Sequence, residues 1–196
     1  MNRNSFFAFM SRMKHINRWG LMRNSRYESL SEHSFETAYI ANALANIENT
    51  MYGGNYNAER IAACALYHDS AEIITGDLPT PVKYKNEKIA GAYAQTEKSA
   101  RETLLFALPE ELRGIYRGYL YYDENADYAV IKAADKLSAL IKCIEERNIG
   151  NRDFISAEKS IRAWLDSCEL KSVGYFIENI LPCFALTLDE LSGIEQ

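Results

Sequence analysis

The sequence is short of the residues that build tightly turning β-structures, and it lacks any long apolar run. Its 196 residues include only 10 Gly and 4 Pro, a composition that disfavours a β-sandwich with its many tight turns. No uncharged apolar stretch reaches the roughly 18 residues that a membrane-spanning helix requires. These shortages favour a helical fold and predict that the protein has no membrane partner.

Cysteine is also scarce, and its spacing excludes the common cysteine-based sites. The four cysteines are Cys64, Cys143, Cys168 and Cys183, and no two of them form a C-x-x-C pair. A zinc finger and a dithiol redox site are therefore excluded. Isolated cysteines in a chain of this length are typical of reduced, mostly buried thiols, which predicts a cytoplasmic protein.

Acidic residues are missing from the first 27 residues, which contain six Lys and Arg. The whole chain has a net charge of −5, so the rest of the molecule is acidic. An acidic body argues against binding to a nucleic-acid polymer, because such proteins usually present a basic surface. The basic segment itself has three interpretations: a solvated charged face, a site for a small anion, or a mitochondrial transit peptide.

The sequence instead contains one helical pattern after another. Ser29 and Glu32 form a capping-box pattern, and Thr37, Ile40, Leu44, Ile47 and Met51 follow at helical spacing. Pro79 and Pro81 exclude a regular helix through residues 77–81. No repeat or linker divides the chain, so the sequence predicts a single all-α domain over residues 1–196. The predicted helices span residues 5–14, 29–51, 58–75, 86–107, 110–121, 127–147, 154–168, 172–181 and 188–192.

A polar cluster interrupts the predicted helix over residues 58–75. His68, Asp69 and Glu72 share an arc of about 100° on a helix that is otherwise rich in alanine and apolar residues. An unpaired carboxylate on a buried face costs several kcal/mol, so such a cluster requires a cation, a partner or solvent. A solvent-facing polar stripe is the alternative.

Two more polar residues fall on apolar faces of other predicted helices. His33 lies four residues before Thr37 and heads the apolar stripe, so it is expected to face inward. Asp135 shares its face with Ile131 and Ser138, where an unpaired carboxylate is unusual. Pairing with Lys132 is the structural alternative to metal binding by Asp135.

Taken together, His33, the His68-Asp69 pair and Asp135 resemble the pattern of the HD-domain metal-dependent phosphohydrolases. The resemblance implies an all-α, single-domain HD-type helical bundle in which these four side chains bind one divalent metal. Imidazole and carboxylate ligands together suit a transition metal such as Mn, Co, Fe or Ni better than Mg or Ca. His15 is the only other histidine, so the extra ligands of a two-metal variant are missing.

Further segments resemble one family within that superfamily, the bacterial HD-domain 5′-deoxynucleotidases. They are Asn17-Arg18-Trp19, Ser31–Ser34, Tyr67–Glu72 and the unbroken run from Thr75 to Tyr84, and the similarity covers almost the whole chain. The run Gly-Asp-Leu-Pro-Thr-Pro is specific, because no general requirement of folding dictates that order. The resemblance argues against a transit peptide, since Arg18 and Trp19 would belong to the mature enzyme.

The family resemblance implies hydrolysis of 2′-deoxyribonucleoside 5′-monophosphates, with selectivity against ribonucleotides. Glu72 and Arg18 match catalytic residues, a carboxylate that transfers a proton and a guanidinium that orients phosphate. An orienting role beside His68 is the alternative for Glu72, and a core anchor is the alternative for Trp19. The residues that match metal ligands are His33, His68, Asp69 and Asp135. The residues that match substrate contacts are Arg18, Trp19, His33, Asp69, Asp77, Leu78, Pro79, Thr80 and Asp135.

Two other functions are compatible with the pattern: an HD-type nucleoside triphosphohydrolase or phosphodiesterase, and a non-catalytic metal-binding helical adaptor. The loop at residues 77–80 argues against the first, and Glu72 with Arg18 argues against the second. The resemblance further implies Co or Mn as the metal and a homodimer, which apolar helix faces around residues 176–184 would allow. Residues 114–127 depart from the family in length and acidity, which puts a substrate contact through Asp123 or Glu124 in doubt.

Overall fold

A computed structural model of the chain describes residues 4–83, 85–124 and 127–193, with Glu124 described by its backbone alone. Tyr84, the last residue of the run that begins at Thr75, lies outside these ranges. The α-helices in chain order are α1 (Phe6–Met10), α2 (Leu30–Met51), α3 (Ala58–Leu66), α4 (Glu72–Thr75), α5 (Thr80–Lys83), α6 (Glu87–Phe106), α7 (Glu110–Leu120), α8 (Tyr128–Asn148), α9 (Ile155–Asp166), α10 (Lys171–Tyr175) and α11 (Leu188–Ser192).

The all-α prediction is confirmed. Within the described ranges the only β-structure is an isolated bridge between Asn17 and Ser29. The helices predicted over residues 86–107, 110–121, 127–147, 154–168 and 188–192 are found with ends shifted by at most two residues. The segment predicted as a helix over residues 172–181 begins as α10 and stays helical beyond its predicted end. It continues through a π-helix at Phe176–Ile180 and a 3-10 helix at Leu181–Ala185.

The main core lies where α2, α3 and α8 pack together. Its fully buried side chains include Ile40, Leu44, Ile61, Leu137 and Leu140. A second, smaller core joins α1, α6 and α7. The two long helices α2 and α8 therefore form a rigid frame, and residues on their facing sides are held at fixed separations.

The start of α2 matches its predicted capping box, whereas its far end departs from the predicted apolar stripe. The Ser29 hydroxyl accepts from the Glu32 backbone N–H, and the Glu32 carboxylate accepts from the Ser29 N–H. Thr37, Ile40 and Leu44 are fully buried, but Met51 is 52% exposed. Glu48 is buried instead, because its carboxylate accepts from the Ser172 N–H at the start of α10, 2.8 Å away.

The prediction of one continuous helix over residues 58–75 is wrong. Helix α3 ends at Leu66, residues 67–71 form a tight turn, and α4 begins at Glu72. The Ala65 carbonyl, which a continued helix would pair with the Asp69 N–H, accepts from the His68 ring Nδ1 at 2.7 Å and from the His68 N–H at 3.4 Å. A side chain that takes over a helix carbonyl in this way competes with the helix itself.

The proline segment also differs in part from its prediction. Residues 77–79 are non-helical as expected, but α5 begins at Thr80 and includes Pro81 in its first turn. Proline is tolerated there because the first N–H groups of a helix have no internal acceptor. Among the described residues, no helix combines the length and the apolar character needed to cross a membrane.

Candidate metal centre and active site

Three side chains from separate segments of the chain meet in the core of the bundle. His33 comes from the first turn of α2, His68 from the turn after α3, and Asp135 from α8. One ligand atom from each lies within 4.8 Å of the others. His33 is fully buried and His68 is 6% exposed, so the inward orientation expected for His33 is confirmed.

Asp69 lies against this group. Its Oδ2 is 3.1 Å from His68 Nε2 and 3.6 Å from His33 Nε2. The Asp135 Oδ1 is 3.3 Å from His33 Nε2 on the other side. The structure therefore brings together all four side chains that match metal ligands, two imidazoles and two carboxylates.

The hydrogen bonds of the two imidazoles leave both Nε2 atoms facing this space. His68 Nδ1 donates to the Ala65 carbonyl, so in the neutral ring Nε2 carries a lone pair, and this buried atom has no hydrogen-bond partner among the described residues. His33 Nδ1 contacts the Ser138 hydroxyl at 3.0 Å. An Nε2 lone pair 3.1 Å from a carboxylate oxygen is repulsive unless a cation or a proton lies between them.

The charges of the site follow from the same geometry. Burial acts against the charged form of His68, but Asp69 outweighs it and raises the pKa of His68. The pKa of Asp69 is held below its ordinary value against burial, chiefly by His68. A divalent cation would take the place of the proton between His68 Nε2 and the Asp69 carboxylate. The unpartnered Nε2 and the mixed imidazole and carboxylate ligands fit a transition metal.

Asp135 also makes the ion pair that was considered as its structural alternative. Lys132 Nζ lies 3.0 Å and Lys136 Nζ 4.0 Å from Asp135 Oδ2. The two oxygens of Asp135 thus face different partners, with Oδ1 toward His33 and Oδ2 toward the lysines. The lysine pair and an inward role of Asp135 are compatible in this geometry.

Glu72 stands at the first position of α4, where it is 8% exposed. Its Oε2 is buried and has no hydrogen-bond partner among the described residues. Burial, with Asp69 and Asp77 nearby, raises the pKa of Glu72 to about 10. A bound cation would act in the opposite direction. A buried carboxyl with a raised pKa beside a charged cluster is typical of an acid–base catalyst.

Arg18 and Trp19 are held in place by Glu28, a residue that the sequence analysis missed. Glu28 Oε2 accepts from Arg18 Nε at 3.3 Å and from Trp19 Nε1 at 2.9 Å. The other end of the guanidinium donates to Asp69 at 3.3 Å. Glu28 is the first acidic residue after an acid-free run, and that position is the one signal in the sequence that could have identified it.

Trp19 has an unusual backbone conformation. Its φ of 60° lies in the left-handed region, which a bulky residue adopts at a cost of about 1–3 kcal/mol. The ring is half-buried and packs on Phe154 with 5.2 Å between ring centroids. Strain of this kind persists only where surrounding contacts fix the residue, here the hydrogen bond to Glu28 and the contact with Phe154.

The loop at residues 77–80 follows α4 and lies beside the Arg18–Trp19 segment. The half-buried Asp77 accepts from the Trp19 backbone N–H, and burial raises the pKa of its carboxyl. Leu78 and Pro79 are also half-buried, whereas Thr80 is exposed. Of these four residues, Asp77 is the one that the structure ties directly to the site.

In residues 114–127, Tyr122 places its aromatic ring beside His68. The Tyr122 ring lies 6.5 Å from the His68 ring and stacks on Tyr128 at 6.0 Å between centroids. Asp123 forms an ion pair with Arg101 at 2.7 Å. The side chain of Glu124 lies outside the described residues.

Comparison with known proteins agrees with the metal site that the geometry indicates. The chain matches the family model "5′-deoxynucleotidase YfbR-like" over residues 5–184. It is 48% identical over 196 residues to the 5′-deoxynucleotidase YfbR of Escherichia coli K12 (DH10B), covering 98% of each chain.

Solved structures from several organisms share the fold. An HD-domain phosphohydrolase from Listeria innocua has a TM-score of 0.82 and 25% identity, covering 98% of this chain and 93% of that one. The cyanophage S-2L HD phosphohydrolase, solved with dA and one catalytic Zn²⁺ ion, has a TM-score of 0.64 and 17% identity, covering 89% and 95%. The HD-type helical bundle expected from the sequence is thereby confirmed.

Proposed function

The chain belongs to the family of YfbR-like 5′-deoxynucleotidases, and from that membership we propose that it hydrolyses 2′-deoxyribonucleoside 5′-monophosphates. The products are the deoxynucleoside and orthophosphate. The observation at the site that carries the proposal is that His33, His68, Asp69 and Asp135 lie together around His68 Nε2, a buried atom with no hydrogen-bond partner in the part of the chain that the structure describes. The four residues serve as ligands of one divalent metal.

The roles of the chain's own residues follow from their positions. A divalent cation at the site supplies Lewis acidity toward the phosphoryl group. Arg18, whose guanidinium reaches Asp69, binds and orients the phosphate oxygens through its planar fork. Glu72 takes the proton of the water that attacks phosphorus and returns a proton to the 5′-oxygen as the phosphorus–oxygen bond to the sugar breaks.

The sugar is recognised by the segments on either side of Arg18. Asp77 accepts a hydrogen bond from the 3′-hydroxyl, and Trp19 contacts the deoxyribose face. Leu78, Pro79 and Thr80 complete the loop beside the nucleoside. Because Trp19 is held by Glu28 and Phe154, it cannot withdraw to accommodate an extra 2′-hydroxyl, and a clash or a stranded polar group rejects the ribonucleotide.

Phosphate release from matched deoxyribo- and ribonucleoside monophosphates, with each metal in turn, tests the proposal. We expect turnover of dAMP and little turnover of AMP, dATP or a cyclic nucleotide. A preference for triphosphates or cyclic nucleotides would support the other HD chemistries instead, and stoichiometric metal binding without turnover would support an adaptor.

A glutamine variant tests the role of Glu72. Glu72→Gln keeps the volume of the side chain but removes its acid–base function, so we expect a loss of at least about 100-fold in kcat with an unchanged metal content. Glu59→Gln makes the same chemical change at an exposed position of α3 and should behave as the parent. Parental turnover by Glu72→Gln would refute the assignment.

The proposal extends to the metal, the assembly and the location of the protein. We propose that Co²⁺ or Mn²⁺ supports catalysis, that the enzyme is cytoplasmic, that the whole chain folds as one domain and that it binds no nucleic-acid polymer. The four unpaired cysteines support the location. We also propose a homodimer. Within the face suggested around residues 176–184, the Phe176 ring is 2% exposed and packs on Phe184, so that ring itself does not contribute to a dimer surface. Light scattering of the purified protein tests the assembly.

A further inference from the structure

A buried chain of hydrogen bonds leads from the back of the His33 ring toward the surface. His33 Nδ1 contacts the Ser138 hydroxyl at 3.0 Å, and the same hydroxyl donates to Glu36 Oε2 at 2.7 Å. Tyr39 donates to the other carboxylate oxygen of Glu36 at 2.8 Å. Ser138 is fully buried, Glu36 is half-buried and Tyr39 is exposed.

The directions of these bonds determine which nitrogen of His33 carries the proton. Both oxygens of Glu36 accept hydrogen bonds, as an ionised carboxylate does, so the one proton of the Ser138 hydroxyl points to Glu36. Toward His33 the hydroxyl can then only accept, and His33 Nδ1 must donate. The Nε2 atom is left with its lone pair directed at Asp69 and Asp135.

Other groups near His33 do not supply this control. Glu28 Oε1 lies 3.8 Å from Nδ1, beyond hydrogen-bond distance. Thr37 Oγ1 lies 3.5 Å from Nε2, at the limit of a hydrogen bond. Asp135 Oδ1, 3.3 Å from Nε2, would accept from an Nε2–H when no metal is bound, so it acts against the Nδ1–H form. Among the contacts described for the ring, the one with Ser138 is therefore the contact that favours Nδ1–H.

The packing of α2 against α8 explains how these hydrogen-bonded residues come together. Helix α2 contributes His33 and, one turn later, Glu36. Helix α8 contributes Asp135 and, one turn later, Ser138. Residues three apart share a helix face, so the same contact between α2 and α8 that brings His33 to Asp135 brings Glu36 to Ser138.

We propose that Glu36, acting through Ser138, is a positioning residue that fixes the Nδ1–H tautomer of His33 and thereby sets the affinity of the site for its divalent metal. This inference rests on the proposed role of His33 as a metal ligand. Hydrogen-bond partners of ligating histidines orient the ring and increase its basicity, and their loss typically costs about 10- to 100-fold in metal affinity or activity.

Metal dissociation constants, measured by competition between the whole protein and a fluorescent zinc chelator, test the inference. We expect Ser138→Ala and Glu36→Leu to weaken Zn²⁺ binding by at least about 10-fold, with kcat at saturating metal close to the parental value. Tyr39→Phe is the matched control, because it removes a hydrogen bond to Glu36 without touching Ser138, and we expect it to bind Zn²⁺ as the parent does. Circular dichroism confirms that each variant is folded.

Nitrogen NMR of the histidine rings gives a readout that loss of packing would not produce. In the metal-free Glu36→Leu protein the Ser138 proton is free to turn toward His33, so the His33 resonances should shift toward the Nε2–H tautomer. If Glu36→Leu does not fold, Ser138→Ala still gives the affinity measurement, and Glu36→Gln, which can accept from Ser138, should retain most of the affinity.

The outcomes separate this inference from the proposed function. Parental affinity in both Ser138→Ala and Glu36→Leu, or equal weakening by Tyr39→Phe, overturns the role of Glu36. If instead His33→Ala binds Zn²⁺ as tightly as the parent, His33 is not a ligand, and both the proposed metal site and this inference fail.

Discussion

Replacing Glu28 by Gln tests whether one carboxylate holds the segment that we assign to phosphate and sugar binding. Glu28 Oε2 accepts from both Arg18 and Trp19, and the Glu28 and Arg18 side chains are only 11% and 13% exposed. Gln has the same volume and keeps one acceptor oxygen, so the variant removes mainly the negative charge. The expected result is a loss of substrate positioning without a loss of the metal.

The magnitude follows from the loss of the carboxylate charge in two bonds: the bond from Trp19 becomes neutral, and the bond from Arg18 keeps only the charge of the guanidinium. A hydrogen bond to a charged group contributes about 1.5–3 kcal/mol, and a neutral one contributes about 1 kcal/mol. Arg18 keeps its pair with Asp69, so we expect a net cost of roughly 1–2 kcal/mol in transition-state binding, which is about a 5- to 30-fold fall in kcat/KM. Screening by water is weak at this burial, so the cost needs no large reduction.

The assay is the kcat/KM for dAMP at saturating metal, with the metal content measured alongside. Glu32→Gln is the control, because Glu32 also pairs with an arginine, Arg26 at 2.7 Å, but at an exposed position away from Arg18. Because Gln at this position can still complete the capping box, the change should alter the stability of α2 only slightly and leave kcat/KM unchanged. A parental kcat/KM for Glu28→Gln would show that Arg18 and Trp19 do not depend on this carboxylate.

Three further predictions concern the metal, the pH dependence and the helix start. Dialysis against a chelator should abolish phosphate release and lower the Tm, and added Co²⁺ or Mn²⁺ should restore both; activity that survives chelation would contradict the metal site. In metal-free protein, the raised pKa of Glu72, about 10 against an ordinary 4.5, stabilises the fold below pH 4.5 and loses this effect as the pH rises toward 10. The Tm of Glu72→Gln should therefore rise relative to the parent between pH 5 and pH 9, and parallel melting curves across that range would refute this sign. Asn57→Ala removes the side chain that accepts from the Arg60 N–H at the start of α3 and should cost about 1 kcal/mol in the free energy of unfolding, measured in urea, with no change in kcat.

Much of the fold could be predicted because its signals are local. The capping box at Ser29 and the spacing from His33 through Ile40 determine both the start of α2 and the face that it buries. Asp135 is conspicuous because it lies among small and apolar residues. For these positions the periodicity of the helix is enough to indicate which face is buried.

The features that sequence reasoning missed depend on contacts between distant segments. The end of α3 at Leu66 follows from a hydrogen bond between the His68 ring and Ala65, which competes with an otherwise good helical pattern. Met51 is exposed because Glu48 is recruited by the start of α10. Glu28 gains its position by pairing across the bridge that joins Asn17 to Ser29, and helical periodicity carries no information about such a partner.

The early end of α3 sacrifices helical hydrogen bonding in order to orient His68 for its function. The Ala65 carbonyl can serve the next helical N–H or the His68 imidazole, and in this protein it serves the imidazole. Substitutions at Tyr67 or Ser70 that favour a helix would return the Ala65 carbonyl to the helical hydrogen bonding, and the His68 ring would lose the acceptor that orients it. Selection for a higher Tm would therefore favour substitutions in this turn that weaken metal binding. Such a trade-off is common where activity needs a locally unfavourable backbone.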